Sequence, residues 1–360
     1  MQLHGLFSRA SDLVEMGFER GREMGEAAAK VAADTAKAAA DTALAASSKS
    51  VMIEERQYLL LGLIAEGGFA YVYRARDAAS GEKLAVKKVI AQDRAAAEIA
   101  ETELRFLRTL PPHPNIIRLK GGSKQPSSTG SGHEYLFAIE LCSGGALTKH
   151  VQPGARWLSE AGVLRRFVEA CKGVAHMHAQ QPPVAHRDLK LENVLEDERT
   201  HCKLCDFGSI SAAVIDCATA TRRERLDAED IIQRYTTPWN RAPEMLDTHR
   251  GQRIGLGVDV WALGCLLFSL AYRRHPFDSE SPLQILNCNY TIPTDATNRY
   301  SPALAGLVVA MLAADPAHRP TVFEVTERAS LLYAERMAAA AQPGSQAGEE
   351  EEEAALGAGG

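Results

Sequence analysis

The spacing of apolar residues changes several times along the chain, and each spacing predicts a different kind of element. In residues 1–50, apolar side chains recur three and four positions apart, which predicts an amphipathic helix. Residues 27–46 are mostly alanine, which forms helices readily but buries little apolar surface. We therefore expect residues 1–50 to form a helical, alanine-rich N-terminal extension outside the main folded body.

From residue 57 the pattern becomes typical of β-strands. Three apolar stretches lie at residues 58–64, 72–75 and 83–89, and they are separated by a run of small residues and by a glycine turn. This arrangement predicts three antiparallel strands. The small residues between the first two strands allow a ligand to approach the backbone closely.

One helix and two further strands follow. Residues 94–109 predict a helix that ends before Pro111, because a proline disfavours helical geometry in the residue that precedes it. Residues 116–119 and 135–142 predict strands. A polar loop at residues 123–133 is expected between them.

Beyond residue 142 the pattern is mainly helical. Long helices are expected at residues 159–180 and 222–235, where apolar residues recur at helical spacing. After residue 340 the chain is acidic and rich in glycine, and this composition predicts a disordered tail over residues 341–360. The folded body is therefore expected within residues 57–333.

Composition and charge narrow the class of protein. With 360 residues and 46% hydrophobic residues, the chain has enough apolar material for a sizeable globular body with tails. The formal net charge of -6 argues against a nucleic-acid-binding protein, which would carry a basic surface. No apolar run reaches the ~20 residues of a membrane span. Asp12, Glu15 and Glu19 interrupt any secretory signal, so we expect a cytoplasmic protein that is at most peripheral to membranes.

Seven cysteines are scattered through the chain. An odd number at wide spacing is unlike a disulfide framework and favours a reducing compartment. Cys202 and Cys205 have the spacing of a redox or zinc pair, but no second pair completes a four-ligand site. We favour a buried strand at this position.

The N-terminal extension has three interpretations. It is a surface helix that is partly disordered, or an amphipathic helix that binds a membrane surface or a partner protein, or an organelle transit peptide. Seven acidic residues against six basic ones disfavour the transit peptide, and the first interpretation is preferred.

Residues 186–193 and Asp206 can supply the parts that phosphoryl transfer requires. The reaction needs an acceptor hydroxyl, a carboxylate that takes its proton, and metal ions on the phosphate oxygens. Asp188 is placed to act as the base, and Lys190 offers a positive charge near the transferred group. Asn193 and Asp206 carry oxygen ligands of the kind that Mg²⁺ prefers.

The octapeptide at residues 186–193 followed by Asp206-Phe207-Gly208 matches the catalytic-loop signature of protein kinases. Residues 57–333 resemble a eukaryotic protein kinase domain. The resemblance implies an α+β, bilobal fold, with a small five-stranded antiparallel N-lobe and one main helix at residues 57–141. It also implies a larger, mainly helical C-lobe at residues 142–333.

Further motifs narrow the resemblance to the Numb-associated kinase family, which includes the cyclin-G-associated and adaptor-associated kinases. The similar stretches lie at residues 65–70, 204–209, 235–244, 261–267, 275–277 and 290–293. This likeness implies a serine/threonine kinase whose protein substrates include clathrin adaptors of endocytic trafficking. It also implies an additional helix in the activation segment, which is the stretch from Asp206 to Glu244. This fits the helical pattern of residues 222–235.

The resemblance also assigns roles to residues outside the catalytic loop. It implies that ATP is the co-substrate, that Lys87 contacts its phosphates and that Glu103 pairs with Lys87. Thr237 is expected to orient Asp188 and Lys190. The expected ATP-binding residues are Ile64, Ala65, Gly67, Val72, Ala85, Lys87, Glu103, Glu140 and Cys142. The expected structural contacts are a salt bridge between Glu244 and Arg319 and hydrogen bonds from the catalytic-loop backbone to Asp259.

Two other functions compete with protein phosphorylation. A pseudokinase scaffold usually lacks one of the catalytic residues, and Lys87, Glu103, Asp188, Asn193 and Asp206 are all present. A small-molecule phosphotransferase shares the two aspartates and the asparagine. It has no use for the peptide-docking motifs at residues 235–244, so a protein kinase is preferred.

Overall fold

The computed structural model describes residues 49–67, 70–127, 132–277, 282–293 and 299–341. The predicted helical extension at residues 1–50 and the predicted disordered tail at residues 341–360 lie outside the described residues, apart from residues 49–50 and Ala341. Ser50 belongs to a strand and not to the predicted helix. By its internal contacts the chain divides into two compact units, Met1–Val86 and Lys87–Gly360. The lobe boundaries given by the resemblance stay a prediction.

The first unit is an antiparallel sheet. Its strands are β1 (Ser50–Ile53), β2 (Arg56–Glu66), β3 (Ala70–Asp77) and the beginning of β4 (Lys83–Ala91), and they are neighbours in that order. The β1 strand adds to the five strands expected for this sheet, and it pairs with β2 from Ser50 opposite Leu59. The alternation of buried and exposed side chains places Ile53 and Tyr58 in the core of this unit.

In the second unit, the rest of β4 neighbours β6 (His133–Glu140), which pairs with β5 (Leu119–Pro126). The helix α1 (Arg94–Thr109) has the predicted bounds. It begins after Asp93, whose side chain accepts a hydrogen bond from the Ala96 N–H.

The predicted strand at residues 116–119 and the predicted loop at residues 123–133 are wrong in their bounds, because Ser123 to Pro126 belong to β5. The buried positions of this strand are glycines, so no hydrophobic alternation marks it. At Gly122 a Cβ atom would lie 2.2 Å from Leu104 Cδ1 of α1, so a larger residue here would require the Leu104 side chain to move.

The rest of the second unit is mainly helical, and three small two- or three-residue strand pairings support its loops. The helices are α2 (Glu160–His178), α3 (Arg222–Tyr235), α4 (Pro243–Leu246), α5 (Gly257–Tyr272), α6 (Pro282–Leu286), α7 (Pro302–Met311) and α8 (Val322–Ala340). The short strands are β7 (Gly145–Ala146), β8 (Val194–Glu196), β9 (Cys202–Leu204), β10 (Ile215–Asp216) and β11 (Arg253–Ile254).

The core of the helical part is built around α5, which is apolar on all sides and almost entirely buried. Trp261 stacks on Phe277 with 5.5 Å between ring centroids. An antiparallel sheet and a helical body in one chain confirm the α+β class. Among the described residues, no helix is both long and apolar enough to cross a membrane.

Candidate active site

The hairpin of β8 and β9 brings the catalytic loop beside Asp206. Val194 of β8 pairs with Leu204 of β9, and the Cys205 N–H donates a hydrogen bond of 3.0 Å to the Asn193 carbonyl. Asn193 ends the catalytic loop just before β8, and Asp206 follows β9 by two residues. The two predicted metal ligands therefore lie at the same end of one hairpin.

Asp188 is held in place by three neighbours. Its Oδ1 accepts a hydrogen bond of 2.8 Å from the Thr237 N–H. Its Oδ2 accepts hydrogen bonds from Lys190 Nζ at 2.8 Å and from Asn193 Nδ2 at 3.3 Å. Lys190 Nζ also donates to Thr237 Oγ1 at 2.8 Å. The structure thus confirms that Thr237 contacts both Asp188 and Lys190.

Asn193 and Asp206 suit a magnesium ion. Asn193 Nδ2 donates to the Asp188 carbonyl at 2.8 Å, so the amide nitrogen is engaged and the amide oxygen is turned away as a free acceptor. The Asp206 side chain is half-exposed, and only its Oδ1 is engaged by Lys87. One carboxylate and one amide oxygen are hard donors, as Mg²⁺ requires, and its remaining ligands are normally water and phosphate oxygens.

Lys87 joins α1 to the segment that contains Asp206. Its Nζ lies 2.8 Å and 2.9 Å from the two carboxylate oxygens of Glu103 and 3.1 Å from Asp206 Oδ1. Burial alone would lower the pKa of Lys87, but the two carboxylates raise it above its ordinary value. The Lys87 charge in turn lowers the pKa of Asp206. The predicted pair of Lys87 and Glu103 is confirmed.

Phe207 holds the backbone next to Asp206 in place. Its ring is fully buried and lies 5.3 Å from the rings of both Phe106 and His186. Its N–H donates to Glu103 Oε1 at 3.2 Å. The same carboxylate therefore holds Lys87 and the backbone next to Asp206, which couples α1 to the segment that carries the predicted metal ligand Asp206.

Asp259 of α5 fastens the beginning of the catalytic loop. Its Oδ2 accepts hydrogen bonds from the His186 N–H at 2.7 Å and from His178 Nε2 at 2.9 Å, and its Oδ1 accepts one from the Arg187 N–H at 2.8 Å. Burial would raise the pKa of Asp259, but the hydrogen bond and the charge of His178 lower it. The predicted backbone contacts of Asp259 are confirmed. The part of His178 was not predicted, because it is 81 residues from Asp259 in sequence.

The guanidinium of Arg187 is buried close to Asp259. Burial lowers the pKa of Arg187, and the charge of Asp259 opposes this effect. Within the described part of the chain, Nε and Nη2 of Arg187 are buried and have no hydrogen-bond partner. The catalytic loop and Asp206 are thus positioned without any ion pair from Arg187.

The end of the activation segment is locked by a buried salt bridge. Arg319 Nη1 and Nη2 each lie 2.7 Å from one carboxylate oxygen of Glu244 in α4. The guanidinium carbon of Arg319 also lies 5.0 Å from the centre of the Trp261 ring. The predicted contact of Glu244 and Arg319 is confirmed.

The α3 helix occupies the predicted bounds within the activation segment. It begins with a capping box, in which Thr221 and Glu224 each accept a hydrogen bond from the backbone of the other. Ala228 and Ile232 face the interior. Ser209 Oγ donates to the Tyr235 carbonyl, which joins the start of the activation segment to the end of α3. This contact was not predicted, because a serine hydroxyl in a loop gives no signal of its partner.

Most of the predicted nucleotide residues of the first unit lie on the hairpin of β2 and β3. Ala65 pairs with Val72 across the two strands, and the Gly67 N–H donates to the Ala70 carbonyl at 2.8 Å. Ile64 belongs to β2 and is exposed, whereas Ala85 belongs to β4 and is buried. The roles of Ile64, Ala65, Gly67, Val72 and Ala85 in ATP binding stay predictions.

The predicted adenine contacts at Glu140 and Cys142 are partly engaged by the protein itself. The Glu140 N–H donates to the Arg118 carbonyl at 3.0 Å, and the Cys142 carbonyl accepts from the Gly145 N–H at 3.2 Å. Burial raises the pKa of the Cys142 thiol to about 12, so this side chain is a neutral thiol. Contact of these residues with adenine stays a prediction.

Cys202 and Cys205 lie at the start of β9 and directly after its end. All seven cysteines are free thiols, and Cys202 is the first residue of β9, as the interpretation of a buried strand requires. Burial raises the pKa of both thiols well above the ordinary value. No cluster of three or more His, Cys, Asp or Glu side chains with metal-binding geometry occurs among the described residues.

A cavity of about 580 Å³ opens beside the base. Lys190 and Thr237 lie on its wall together with the apolar rings of Trp239 and Phe277. Because Lys190 and Thr237 both contact Asp188, a chain segment in this cavity would bring a hydroxyl close to the carboxylate.

Comparison with known proteins gives a consistent family assignment. The profile of the protein kinase domain matches residues 58–330. The chain is 42% identical over 273 residues to a probable serine/threonine-protein kinase of Dictyostelium discoideum, an alignment that covers 75% of this chain and 33% of the relative. It is 33% identical over 276 residues to a serine/threonine-protein kinase of Schizosaccharomyces pombe, covering 76% and 28%. It is 32% identical over 287 residues to actin-regulating kinase 1 of Saccharomyces cerevisiae, covering 78% and 44%. The chain thus matches only part of the length of each of these relatives.

Proposed function

The chain belongs to the protein kinase family, and on that basis we propose that it is an active serine/threonine kinase that transfers the γ-phosphate of ATP to proteins. One observation carries the proposal. Asp188 is fixed by Thr237, Lys190 and Asn193 while Lys87 pairs with both Glu103 and Asp206. The catalytic side chains of a kinase are therefore all present, and they are held in two hydrogen-bonded groups.

Each residue has a specific task in the transfer. Asp188 accepts the proton of the acceptor hydroxyl, and its contacts with Thr237 and Asn193 orient the carboxylate toward that hydroxyl. Lys190 places a positive charge where charge develops on the transferred group. When bound at Asn193 and Asp206, Mg²⁺ neutralises phosphate charge. Lys87 binds the phosphates of ATP.

The proposal is tested by phosphate transfer from radiolabelled ATP to a generic protein substrate. We expect Asp188→Asn to lower the rate by roughly 10²–10⁴-fold, because the amide cannot accept the proton. An unchanged melting temperature would show that this variant is folded. Equal incorporation by the wild-type protein and the variant would disprove catalysis by Asp188.

A pseudokinase scaffold is the second candidate, and the intact set of catalytic contacts speaks against it. The two functions differ in their response to nucleotide. When the concentration of Mg²⁺ and ATP is ten to a hundred times the dissociation constant, binding raises the unfolding free energy of a kinase by roughly 1.4–2.7 kcal/mol. A scaffold that binds no nucleotide would show no shift in melting temperature.

We propose clathrin adaptors and other endocytic proteins as the substrate class. The support is the likeness of the motifs at residues 65–70, 204–209 and 235–244 to Numb-associated kinases, together with a yeast relative whose name assigns it to the regulation of actin. A peptide-library phosphorylation profile tests the proposal. A preference for threonine in adaptor-like sequences would support it, and a preference for unrelated sequences would contradict it.

We further propose a cytoplasmic location, with residues 1–50 as an amphipathic contact to a membrane surface or to a partner protein. The support is the helical spacing of apolar residues in the first 18 positions. Co-sedimentation of the full chain with anionic vesicles, compared with a chain that lacks residues 1–50, tests the membrane contact. Equal sedimentation of both proteins would exclude it.

A further inference from the structure

Two arginines converge on one tryptophan on the surface of the helical part. The guanidinium carbon of Arg273 lies 4.8 Å from the centre of the Trp157 ring, and that of Arg299 lies 5.4 Å from it. Arg273 directly follows α5, and Arg299 precedes Tyr300, whose hydroxyl donates to the Leu158 carbonyl at 3.1 Å. Three separate parts of the chain thus build one basic patch, which we call the Trp157 patch (Trp157, Arg273 and Arg299).

Among the described residues, no ion pair balances the positive charge of this patch. Arg273 donates a hydrogen bond to the Gln152 carbonyl, which is neutral. In the described ranges of the chain, no carboxylate forms an ion pair with Arg273 or Arg299. Glu160 is close by in sequence, but its carboxylate already accepts hydrogen bonds from Ser301 and faces Arg336 at 3.3 Å. The patch therefore presents two cations on an aromatic surface and favours an anionic ligand.

The end of the last helix lies near this patch. Arg336 of α8 contacts Glu160, which is three residues from Trp157. From Arg336 the chain continues for five residues to Ala341, or about 8 Å along a helix. Eight more residues lead to Glu349, and eight extended residues reach about 28 Å. The tail is long enough to return to the Trp157 patch.

We propose that the acidic segment at residues 349–353 binds the Trp157 patch of the same chain. This segment consists of five consecutive glutamates, and it is the longest run of like charges in the sequence. Its charge is opposite to that of the patch, and its attachment beside α8 gives it a high local concentration there. The segment therefore has both the charge and the reach to occupy the patch.

The contact has a consequence for the neighbouring cavity. Arg273 is two residues before His275, which lines the cavity beside Lys190. A tail held on the Trp157 patch places negative charge at the edge of the surface where a protein substrate approaches. It thereby disfavours substrates with acidic residues at that edge.

Hydrogen exchange of the full-length protein tests the contact. At low salt, we expect the amides of residues 349–353 to exchange about fivefold more slowly in the wild-type protein than in Arg299→Glu, because exposed ion pairs are individually weak but act together here. Arg299 is exposed, so its replacement does not disturb the core. High salt should remove the protection in the wild-type protein. Unchanged exchange in Arg299→Glu would overturn the proposal.

A charge exchange tests whether opposite charge holds the tail on the patch. Changing Arg273 and Arg299 to glutamate together with residues 349–353 to lysine should restore slow exchange of the tail. The matched control is Arg94→Glu, which makes the same change of charge at a side chain that is 92% exposed on α1, and it should leave the tail unaffected. If instead the tail exchanges equally fast in the wild-type protein and in Arg299→Glu, while Arg299→Glu raises KM for an acidic protein substrate, the patch binds substrate and the proposal is wrong.

Discussion

The Thr237 N–H donates a hydrogen bond of 2.8 Å to Asp188 Oδ1, although the two residues are 49 positions apart. Thr237 also accepts a hydrogen bond from Lys190 at its hydroxyl. The backbone contact is kept by any residue, whereas the side-chain contact needs a hydroxyl. The end of the activation segment therefore contributes directly to the position of the base and of the lysine beside it.

We predict that Thr237→Val lowers kcat by about tenfold to a hundredfold. The side chain keeps its shape but loses the acceptor for Lys190, so the ammonium group moves away from the transferred phosphate. Thr237→Ser keeps the hydroxyl and should retain most of the activity. Steady-state kinetics with a protein substrate measure the effect, and wild-type kcat for the valine variant would refute the role of the hydroxyl.

We predict that Glu103→Gln lowers kcat/KM by about a hundredfold. The amide cannot balance the charge of Lys87, and it also weakens the link to the Phe207 N–H. The matched control is Glu101→Gln on the same helix, because Glu101 is exposed and contacts Lys124 and Tyr135 away from the site. If both variants lose the same amount of activity, a general effect on α1 is the cause of the loss.

The buried pair of Glu244 and Arg319 predicts a large effect on stability. Arg319→Met leaves a buried carboxylate without its partner, which costs roughly 3–5 kcal/mol of unfolding free energy. Arg234→Met breaks the exposed pair with Asp230 on α3, where solvent screens the attraction, so this change should alter stability little. Denaturant unfolding of both variants provides the comparison. A loss below about 1 kcal/mol for Arg319→Met would show that the pair is dispensable.

Glu196 predicts how stability depends on pH. Burial would raise the pKa of this carboxyl, but hydrogen bonds from His150 and Lys149 and the charge of Arg166 lower it to about 2. Because the folded pKa lies below the unfolded value of about 4.3, the stabilisation is complete above pH 5 and is lost as the pH falls toward 2.

The contribution of Glu196 amounts to at most about 3 kcal/mol. We expect Glu196→Gln to remove this part of the pH dependence in denaturant unfolding between pH 6 and pH 3. The exposed Glu98→Gln on α1 serves as the control. A steep loss of stability with acid that is identical in Glu196→Gln and the wild-type protein would contradict the role of Glu196.

We predict that the kinase is active without phosphorylation of its activation segment. Asp188, Lys190 and Thr237 are in contact although Arg187 forms no ion pair with the described residues, and a neutral hydrogen bond from Ser209 joins the start of the segment to the end of α3. Phosphatase-treated protein should keep most of its activity toward a protein substrate. Loss of nearly all activity, restored by autophosphorylation, would contradict the prediction.

The chemistry and much of the local structure could be predicted from the residues and their spacing. Residues 186–193 and Asp206 identified phosphoryl transfer because their side chains and spacing are those that the reaction demands. The bounds of α3 followed from apolar periodicity, since a helix places its apolar face at regular intervals. The end of α1 followed from Pro111. The β5 strand was missed because glycines occupy its buried positions, and its place depends on pairing with β6 and on Leu104.

The contacts between groups that are distant in sequence could be found only from the folded chain. His178 and Asp259 are 81 residues apart, and Ser209 reaches the Tyr235 carbonyl 26 residues later. Neither contact leaves a local pattern in the sequence, because a hydrogen bond needs only a donor and an acceptor that the packed chain brings together. The same holds for the Trp157 patch, where three separate segments place two arginines on one ring. Local sequence specifies what each side chain can do, and packing over long sequence distances specifies its partner.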